Sequence, residues 1–580
     1  MKFSEFAKYL DKLEETSSRL LLIEILSEMF KKASNEEIGK ICYLIQGRVA
    51  PFYEPTELGM AENMVAVSIA KAFGKTKEDV IKLYRKLGNM GKAAQELAQN
   101  SKHKTQNLTV ADVFEELLTI AKTGGAGSVE KKITSLSSLI SKLDPVAVKH
   151  VINIPLDTLR LGIGDPTIMD ALSLAKVGDK KLRPIIEDAY NKTSDLGYVA
   201  EMFAKSGEKG LKDVKLVVGK PVRPALAERT PNADEAVKRL GNEFAAEPKF
   251  DGFRVAVHKN GDEVSLFSRN LENMTHAFPD LVRAVKKEIK AKSVILEGEA
   301  IAFNPTTNEF LPFQETTKRR RKHEVEAMAK KLPLVLFAFD LLYLNGKDIT
   351  QKEYRERRKL LEGVLDKNNI IIRIAEERVI HNAKDILEFF NEVVSEGLEG
   401  LMLKKLDAPY KAGGRGFHWV KFKRSQSGNL NDTVDCVLLG VYTGKGKRTE
   451  FGVGGLLVGI YNNKKDRFET ISRVGTGLTD DEFRRVNQIA QKLKVAHKPA
   501  RVESKIEPSF WIEPKVVLEI IADEITKSPI HTAGEKDGTG YALRFPRLVK
   551  FREEDKRAED ATTVEEIEEM YKAQYAKTEK

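Results

Sequence analysis

Glu247-Pro248-Lys249-Phe250-Asp251-Gly252-Phe253-Arg254 stands at the head of a strand-like run. After it, Phe253, Val255 and Val257 alternate with Arg254, Ala256 and His258, the period of a half-buried strand. A lysine at such a junction can be a covalent nucleophile. Only a neutral amine attacks phosphorus, so that role requires neighbours that depress its pKa, and metal ions, Arg254 and other lysines would do so. Gly252 is expected to let the backbone approach a nucleotide closely. A solvated lysine beside a turn gives the same Lys-x-Asp-Gly string, so residues elsewhere must decide between the two.

The chain has 580 residues, too many for one core, and its 41% hydrophobic and 31% charged content describe a globular protein of several domains. No apolar run reaches the roughly 18 residues of a membrane span, and the N-terminus lacks a signal-peptide core, so a cytoplasmic protein without membrane partners is expected. Two cysteines, Cys42 and Cys436, cannot build a disulfide framework or a four-cysteine zinc site. A net charge of +10 leans toward a polyanionic partner. Abundant Lys and Glu with few Cys suit a thermophile.

Three regions follow one another. Residues 1 to about 215 read as helices, for example Val110-Ala111-Asp112-Val113-Phe114-Glu115-Glu116-Leu117-Leu118, with apolar groups three and four apart. No catalytic constellation is apparent there; the reading is a helical scaffold whose lysines offer a surface to a phosphate backbone. Past the boundary Lys220-Pro221-Val222-Arg223-Pro224, short strands alternate with helices near 353–365 and 383–396, an α+β region ending near Lys423. Asn260-Gly261-Asp262 is hairpin chemistry. Beyond Gln426-Ser427-Gly428-Asn429, glycine-broken strands, a glycine-rich turn at 444–446 and one helix near 480–493 suggest a small barrel such as an OB-fold. The charged tail from Val564 reads as a helix with a solvated face.

Several residues could serve Lys249. Glu297 and Glu299 lie two apart on a predicted strand, so their carboxylates share a face, and Glu399 opens another strand. Carboxylates on neighbouring strands suit Mg²⁺, which keeps waters and bridges to phosphates. Lys421 and Lys423 share a face, and two parallel ammoniums call for an anion between them; a solvated edge strand is the alternative. Lys404, five after Glu399, has the opposite strand parity and is left out of the site. The run Thr317-Lys318-Arg319-Arg320-Arg321-Lys322-His323 suits either a DNA backbone or a solvated loop.

Taken in order, Lys249-x-Asp251-Gly252-x-Arg254, Ser268-Arg269-Asn270, Glu297-Gly298-Glu299, Phe339-Asp340, Glu399-Gly400 and Lys421-x-Lys423 resemble the motifs of covalent nucleotidyltransferases. More closely, the chain resembles ATP-dependent DNA ligases of archaeal and eukaryotic replicative type. Asp165-Pro166-Thr167-Ile168-Met169-Asp170, Pro312-Phe313-Gln314 and Leu543-Arg544-Phe545-Pro546-Arg547 match that family's texture. The resemblance implies an all-α DNA-binding domain (1–215), an α+β, ATP-grasp-like nucleotidyltransferase domain (216–424) and a β-barrel OB-fold domain with a C-terminal helix (425–580). It implies a monomer that closes around nicked double-stranded DNA in replication, repair and recombination, with a sliding clamp as a family partner.

By the same resemblance, Lys249 attacks the α-phosphate of ATP to form lysyl-AMP, AMP passes to the 5′-phosphate of a nick, and the 3′-hydroxyl displaces it. Glu247 would hold the adenine edge and Phe339 would stack on its face. Arg254, Arg269 and Glu299 would contact ribose or phosphate, and Arg415, Lys421 and Lys423 the phosphates. Glu299 and Glu399 would hold Mg²⁺ or Mn²⁺. The family's last motif is Arg-x-Asp-Lys, whereas Arg552-Glu553-Glu554-Asp555-Lys556 has one extra acid, which leaves Arg552 and Lys556 without separate roles. An RNA ligase, a capping guanylyltransferase and a non-catalytic nucleic-acid-binding protein are the rival readings. The long helical region argues against the first two, and the intact lysines argue against the last.

Overall fold

Helical periodicity in the first part of the chain becomes twelve α-helices among the described residues, from Phe3–Glu14 to Leu196–Lys212, in the computed structural model. The structure describes all residues except 102–103, 231, 304–309, 312–315, 317, 321–323, 397, 415, 417, 424–432, 444–451, 476–477 and 576–580. Pro312–Gln314, the 426–429 linker and the 444–446 turn therefore lie outside the described residues. The chain divides into two compact units, Met1–Lys215 and Leu216–Lys580.

Local chemistry accounts for the helices of the first unit. Thr109 and Asp112 form a capping box at the start of Val110–Lys122, whose Val110, Val113, Phe114, Leu117 and Ile120 are buried. Asp144 accepts from the amides of Val146 and Ala147, and Pro145 occupies the first turn of Pro145–Asn153. Asp170, on the helix Asp165–Val177, is 4% exposed and holds Arg19 at 2.9 Å and Arg183 at 3.0 Å.

In the second unit, residues 228–423 build two sheets. In the five-stranded sheet, Gly400–Lys405 lies between Phe244–Lys249 and Trp419–Lys423, antiparallel to both. In the other, Phe253–Asn260 lies between Glu263–Ser268 and Ser293–Ala302, which pairs with Leu334–Leu344. The predicted hairpin forms, with Asn260 opposite Glu263 and Gly261 at φ 59°. Lys249 ends a strand of the first sheet and Phe253 begins a strand of the second. The turn between them carries the chain from sheet to sheet. A Cβ on Gly252 would lie 2.3 Å from the Ala300 carbonyl oxygen. The glycine thus lets the turn close on a neighbouring strand, a reason different from the nucleotide approach expected from the sequence.

In the second sheet Phe253–Asn260, expected to be half-buried, is covered on both faces, with Ala256 and His258 buried as well as Val255 and Val257. The five-stranded sheet buries one face against a helix. Phe244, Ala246, Leu401, Leu403, Val420 and Phe422 pack with Ile386, Phe389 and Val393 of the helix Ala383–Ser395. Burying such side chains contributes about 1.5–3 kcal/mol each. From Val434 onward the chain is β-rich. Val434–Tyr442 pairs with Gly455–Asn462, Phe510–Ile512 and Val517–Ile521, and the helix Asp480–Leu493 adds Phe483, Val486 and Ala490 to the core. Both cysteines are buried and free.

Candidate active site

The period of two in the five-stranded sheet decides what faces the cavity. With Phe244, Ala246, Leu401, Leu403, Val420 and Phe422 turned to the core, Glu247, Lys249, Met402, Lys404, Trp419, Lys421 and Lys423 line one opening. Register keeps them close: Gly400 is opposite both Lys249 and Lys423, and Met402 is opposite both Glu247 and Lys421. The second sheet contributes Arg254, Glu299 and Phe339 to the same cavity, and the turn after Glu263–Ser268 contributes Arg269. Glu399 lines it too. Of the residues given a catalytic, nucleotide or metal role from the sequence, only Arg415 lies outside the described ones.

Lys249 is ion-paired with Glu399, which also lies 3.5 Å from Lys423 Nζ. Burial opposes the Glu399 charge, but Lys249, Lys423 and Arg552 outweigh it and hold the carboxyl well below the usual range. Glu299 shows the reverse balance. Burial pushes it up to about 7 although Lys249, Arg254 and Arg269 pull the other way, and the Glu399 charge adds to the rise. Two neighbouring carboxyls thus differ widely in acidity because one has ammoniums in contact and the other does not.

Glu297 departs from expectation. Its carboxylate accepts from Arg254 Nε at 3.1 Å and Nη2 at 2.6 Å, and from the Tyr410 hydroxyl at 2.7 Å. Committed to those donors, it is not a partner of Glu299 for a metal. Arg254 also donates to the Ala225 carbonyl at 2.9 Å and lies 5.3 Å from the ring centres of Phe339 and Trp419. Phe339 enters the cavity at a bulge: Glu297 is opposite Asp340 and Gly298 opposite Ala338, so one residue is extra.

Lys404, excluded by parity, belongs to the site. It is 1% exposed, its Nζ lies 2.6 Å from Glu247 Oε2, and it donates to the Phe339 carbonyl at 3.0 Å. Counting from Glu399 failed because Glu399 precedes the strand and Gly400 has φ 141°. Counted back from Trp419, its cross-strand partner, the parity is correct. Glu247 accepts from the Tyr354 hydroxyl at 2.5 Å as well, so a carboxylate that burial destabilises is ringed by donors.

The lysine pair does not sit on an edge strand, since Trp419–Lys423 has neighbours on both sides. Lys423 faces Glu399, and Lys421 lies 4.0 Å from Glu566 of the C-terminal helix Val564–Tyr575. Glu566 is 2% exposed and Glu569 meets Arg239 at 3.3 Å, so the face expected to be solvated is in part docked. The basic run changes meaning too. Arg319 is fully buried, paired with Asp280 at 2.7 Å, and Arg320 pairs with Glu272 at 2.6 Å; 321–323 lie outside the described residues. The β-rich region adds Asp435, Lys550, Arg552, Asp555 and Lys556 to the cavity wall.

Glu299 and Glu399 offer hard oxygen donors, and a divalent cation would relieve the burial that raises the Glu299 pKa. They are too few to hold a metal alone, which fits Mg²⁺ bound by one or two carboxylates together with phosphate oxygens. Among the described residues, the group of three ligand atoms close enough for a metal is Asp11, Glu14 and His150 in the helical unit. Lys149 already sits there, in contact with Asp11 and 2.8 Å from Glu14.

A strand-end lysine on a two-sheet α+β scaffold, flanked by acids of opposite character and by paired lysines, defines a covalent nucleotidyltransferase. Residues 224–423 match the family model of the ATP dependent DNA ligase domain, 2–173 that of the DNA ligase N terminus, and 449–556 that of the ATP dependent DNA ligase C terminal region. A probable DNA ligase of Dictyoglomus turgidum is 50% identical over 575 residues, covering 99% of this chain and 98% of the relative. A DNA ligase of Nitrosopumilus maritimus is 42% identical over 580 residues, with 99% and 98% covered. Among solved structures, mycobacterial DNA ligase D complexed with ATP and MES aligns at TM-score 0.35 and 24% identity, over 59% of this chain and 97% of that one. The chain belongs to the family of ATP-dependent DNA ligases.

Proposed function

We propose that this chain seals nicks in duplex DNA and that Lys249 carries AMP from ATP to the nick. What supports this reading is one observation: Lys249 shares a sheet face with Lys421 and Lys423 and contacts Glu399, opposite basic residues of the C-terminal region. The Lys249 amine, having lost a proton to solvent, attacks the α-phosphorus. The N–P bond forms and the bond to the β-phosphate oxygen breaks, with its electron pair leaving on pyrophosphate. An oxygen of the nick's 5′-phosphate then attacks the phosphorus of AMP, the N–P bond breaks and the Lys249 nitrogen takes up a proton. Last, the 3′-hydroxyl attacks the 5′-phosphorus and gives up its proton, and the bond to the AMP oxygen breaks with its electron pair leaving on AMP.

Positioning and cancellation of charge are the catalytic needs of such transfers. Lys421 and Lys423 would hold α-phosphate oxygens in place of the carboxylates they now face, and Arg269 would add a ribose or phosphate contact. Glu247, fixed by Lys404 and Tyr354, would accept from the adenine amino group while Phe339 covers the ring. Arg254 would act through Glu297, shaping the wall beside Phe339. Glu299 and Glu399 would hold Mg²⁺, which when bound neutralises phosphate charge. Arg552 and Lys556 would face the pyrophosphate. We take 1–215, 216–424 and 425–580 as the working domains, the first binding DNA. A monomer acting in the cytoplasm in replication, repair and recombination, with a sliding clamp as partner, completes the proposal. Among the described residues, no helix is long and apolar enough to cross a membrane.

The test is labelling with α-labelled ATP and Mg²⁺. The chain should take up AMP, Lys249→Ala should take up none, and the labelled chain should seal a DNA nick. Label persisting on Lys249→Ala would sink the nucleophile assignment, and sealing confined to RNA nicks would favour an RNA ligase.

A further inference from the structure

Asp435, on the strand Val434–Tyr442, is 4% exposed and lies at the centre of a cluster of cations. Its Oδ2 is ion-paired with Lys556, and Arg229, from the other side of the cavity, approaches to 3.8 Å. Its Oδ1 is buried without a hydrogen-bond donor among the described residues. A buried carboxylate with an unsatisfied oxygen is unfavourable, so its retention calls for a reason beyond packing. Thr562 ties the cluster together: it accepts from the Asp435 amide at 3.0 Å and from Arg229 Nη2 at 3.3 Å. Arg552 is held separately, by Asp555 at 2.9 Å and Glu519 at 2.7 Å. The two cations of the last motif therefore have different anchors, and the extra acid does not blur them: Arg552 is fixed within its own turn and by the adjacent strand, Lys556 by Asp435.

We propose that Asp435 is a positioning residue for the first chemical step, holding Lys556 over the cavity where pyrophosphate departs. This rests on the ligase reading above. As the Lys249 nitrogen bonds to the α-phosphorus, the bond to the bridging oxygen breaks and negative charge grows on the leaving pyrophosphate. An ammonium fixed at that point stabilises this charge without reorganising. Asp435 touches none of the reacting atoms and acts through Lys556. In the later steps no pyrophosphate leaves, so Lys556 and its anchor matter less.

Protonation provides a second readout. Lys556 is pushed down to about 8, first by burial and then by Arg552 and Arg269, while Asp435 and Asp555 pull it up. Removing the Asp435 charge lowers it further, so the ammonium is lost at lower pH.

The experiment measures AMP transfer to the full-length chain from ATP and Mg²⁺, and separately the sealing of a nick already carrying 5′-AMP, across pH 6 to 10. For Asp435→Asn, the loss in AMP transfer should be at least tenfold greater than the loss in sealing of the adenylylated nick. The alkaline limb of the transfer profile should move to lower pH, Asp435→Glu should recover much of the rate, and Lys556→Arg, which stays charged, should flatten that limb. Equal losses in both steps, or an alkaline limb unmoved in Asp435→Asn and Lys556→Arg, would overturn the assignment. Failure of the unmodified chain to accept AMP would overturn the ligase reading itself, an outcome separable from any effect at Asp435.

Discussion

Glu299 and Glu399 show how much a residue's character depends on its contacts. In sequence both are strand acids beside a glycine. In the fold Glu399 meets two lysines while Glu299 is half-buried with no ammonium in contact, and its pKa rises from 4.5 to about 7. The sign of the linkage follows. Glu299 stays neutral more readily folded than unfolded, so its share of stability is full below pH 4.5 and is lost as pH rises through about 7. At about 1.36 kcal/mol per pKa unit, the loss is at most roughly 3 kcal/mol. Glu299→Gln should therefore be more stable than the parent at pH 8 by up to that amount, and little different at pH 4, in buffer free of divalent cations. It should also transfer AMP poorly, as expected where a destabilising group serves function. Denaturant titrations at both pH values check this; a parent-to-variant difference that does not change with pH would refute it. Residue type, spacing and the family resemblance singled out Lys249, Glu299 and Glu399, and the fold brings the three to one cavity. The commitment of Glu297 to Arg254 was not, because it depends on a diagonal contact across strands.

At the scale of elements, strand periodicity was the most reliable guide. It correctly placed Lys421 and Lys423 on one face, since a period of two holds wherever the strand is regular. It failed at Lys404, where the count began on a residue outside the strand. Gly400 marks that irregularity: a Cβ there would lie 2.2 Å from the Phe422 carbonyl oxygen and 3.0 Å from Lys423 Cα, with φ at 141°. The two nearest atoms are backbone of that one strand, which leaves little room to yield. Gly400→Ala should thus push the lysine strand away, destabilise the chain by about 1–3 kcal/mol and slow AMP transfer at least tenfold. A variant of parental stability and parental transfer rate would show that the close approach is not needed. The C-terminal helix was legible as a helix, but not its docking, because Glu566 and Glu569 find their cations in residues more than a hundred positions away in sequence.

For the whole molecule, the cavity is lined between Ala225 and Glu566, all within the unit Leu216–Lys580. A chain lacking residues 1–215 should therefore still accept AMP, yet bind nicked DNA more weakly and with a shallower dependence on salt, because fewer phosphates are neutralised. Filter binding at several salt concentrations tests this, and equal affinity and salt slope for both forms would argue against DNA binding by the helical unit. By itself, the sequence determined the helical, mixed and β-rich order of the regions, the shared face of Lys421 and Lys423 and the choice of Lys249 as the residue to follow. Those follow from local periodicity and from side-chain chemistry that each segment carries with it. Only the tertiary structure decided which charges meet: Lys404 with Glu247, Lys556 with Asp435, Lys421 with Glu566. The sheet that holds Lys249 takes its strands out of chain order, with Trp419–Lys423 and Gly400–Lys405 beside Phe244–Lys249. Partners are therefore chosen by packing between distant segments, and the balance of burial and charge that sets each group's acidity exists only once they are packed.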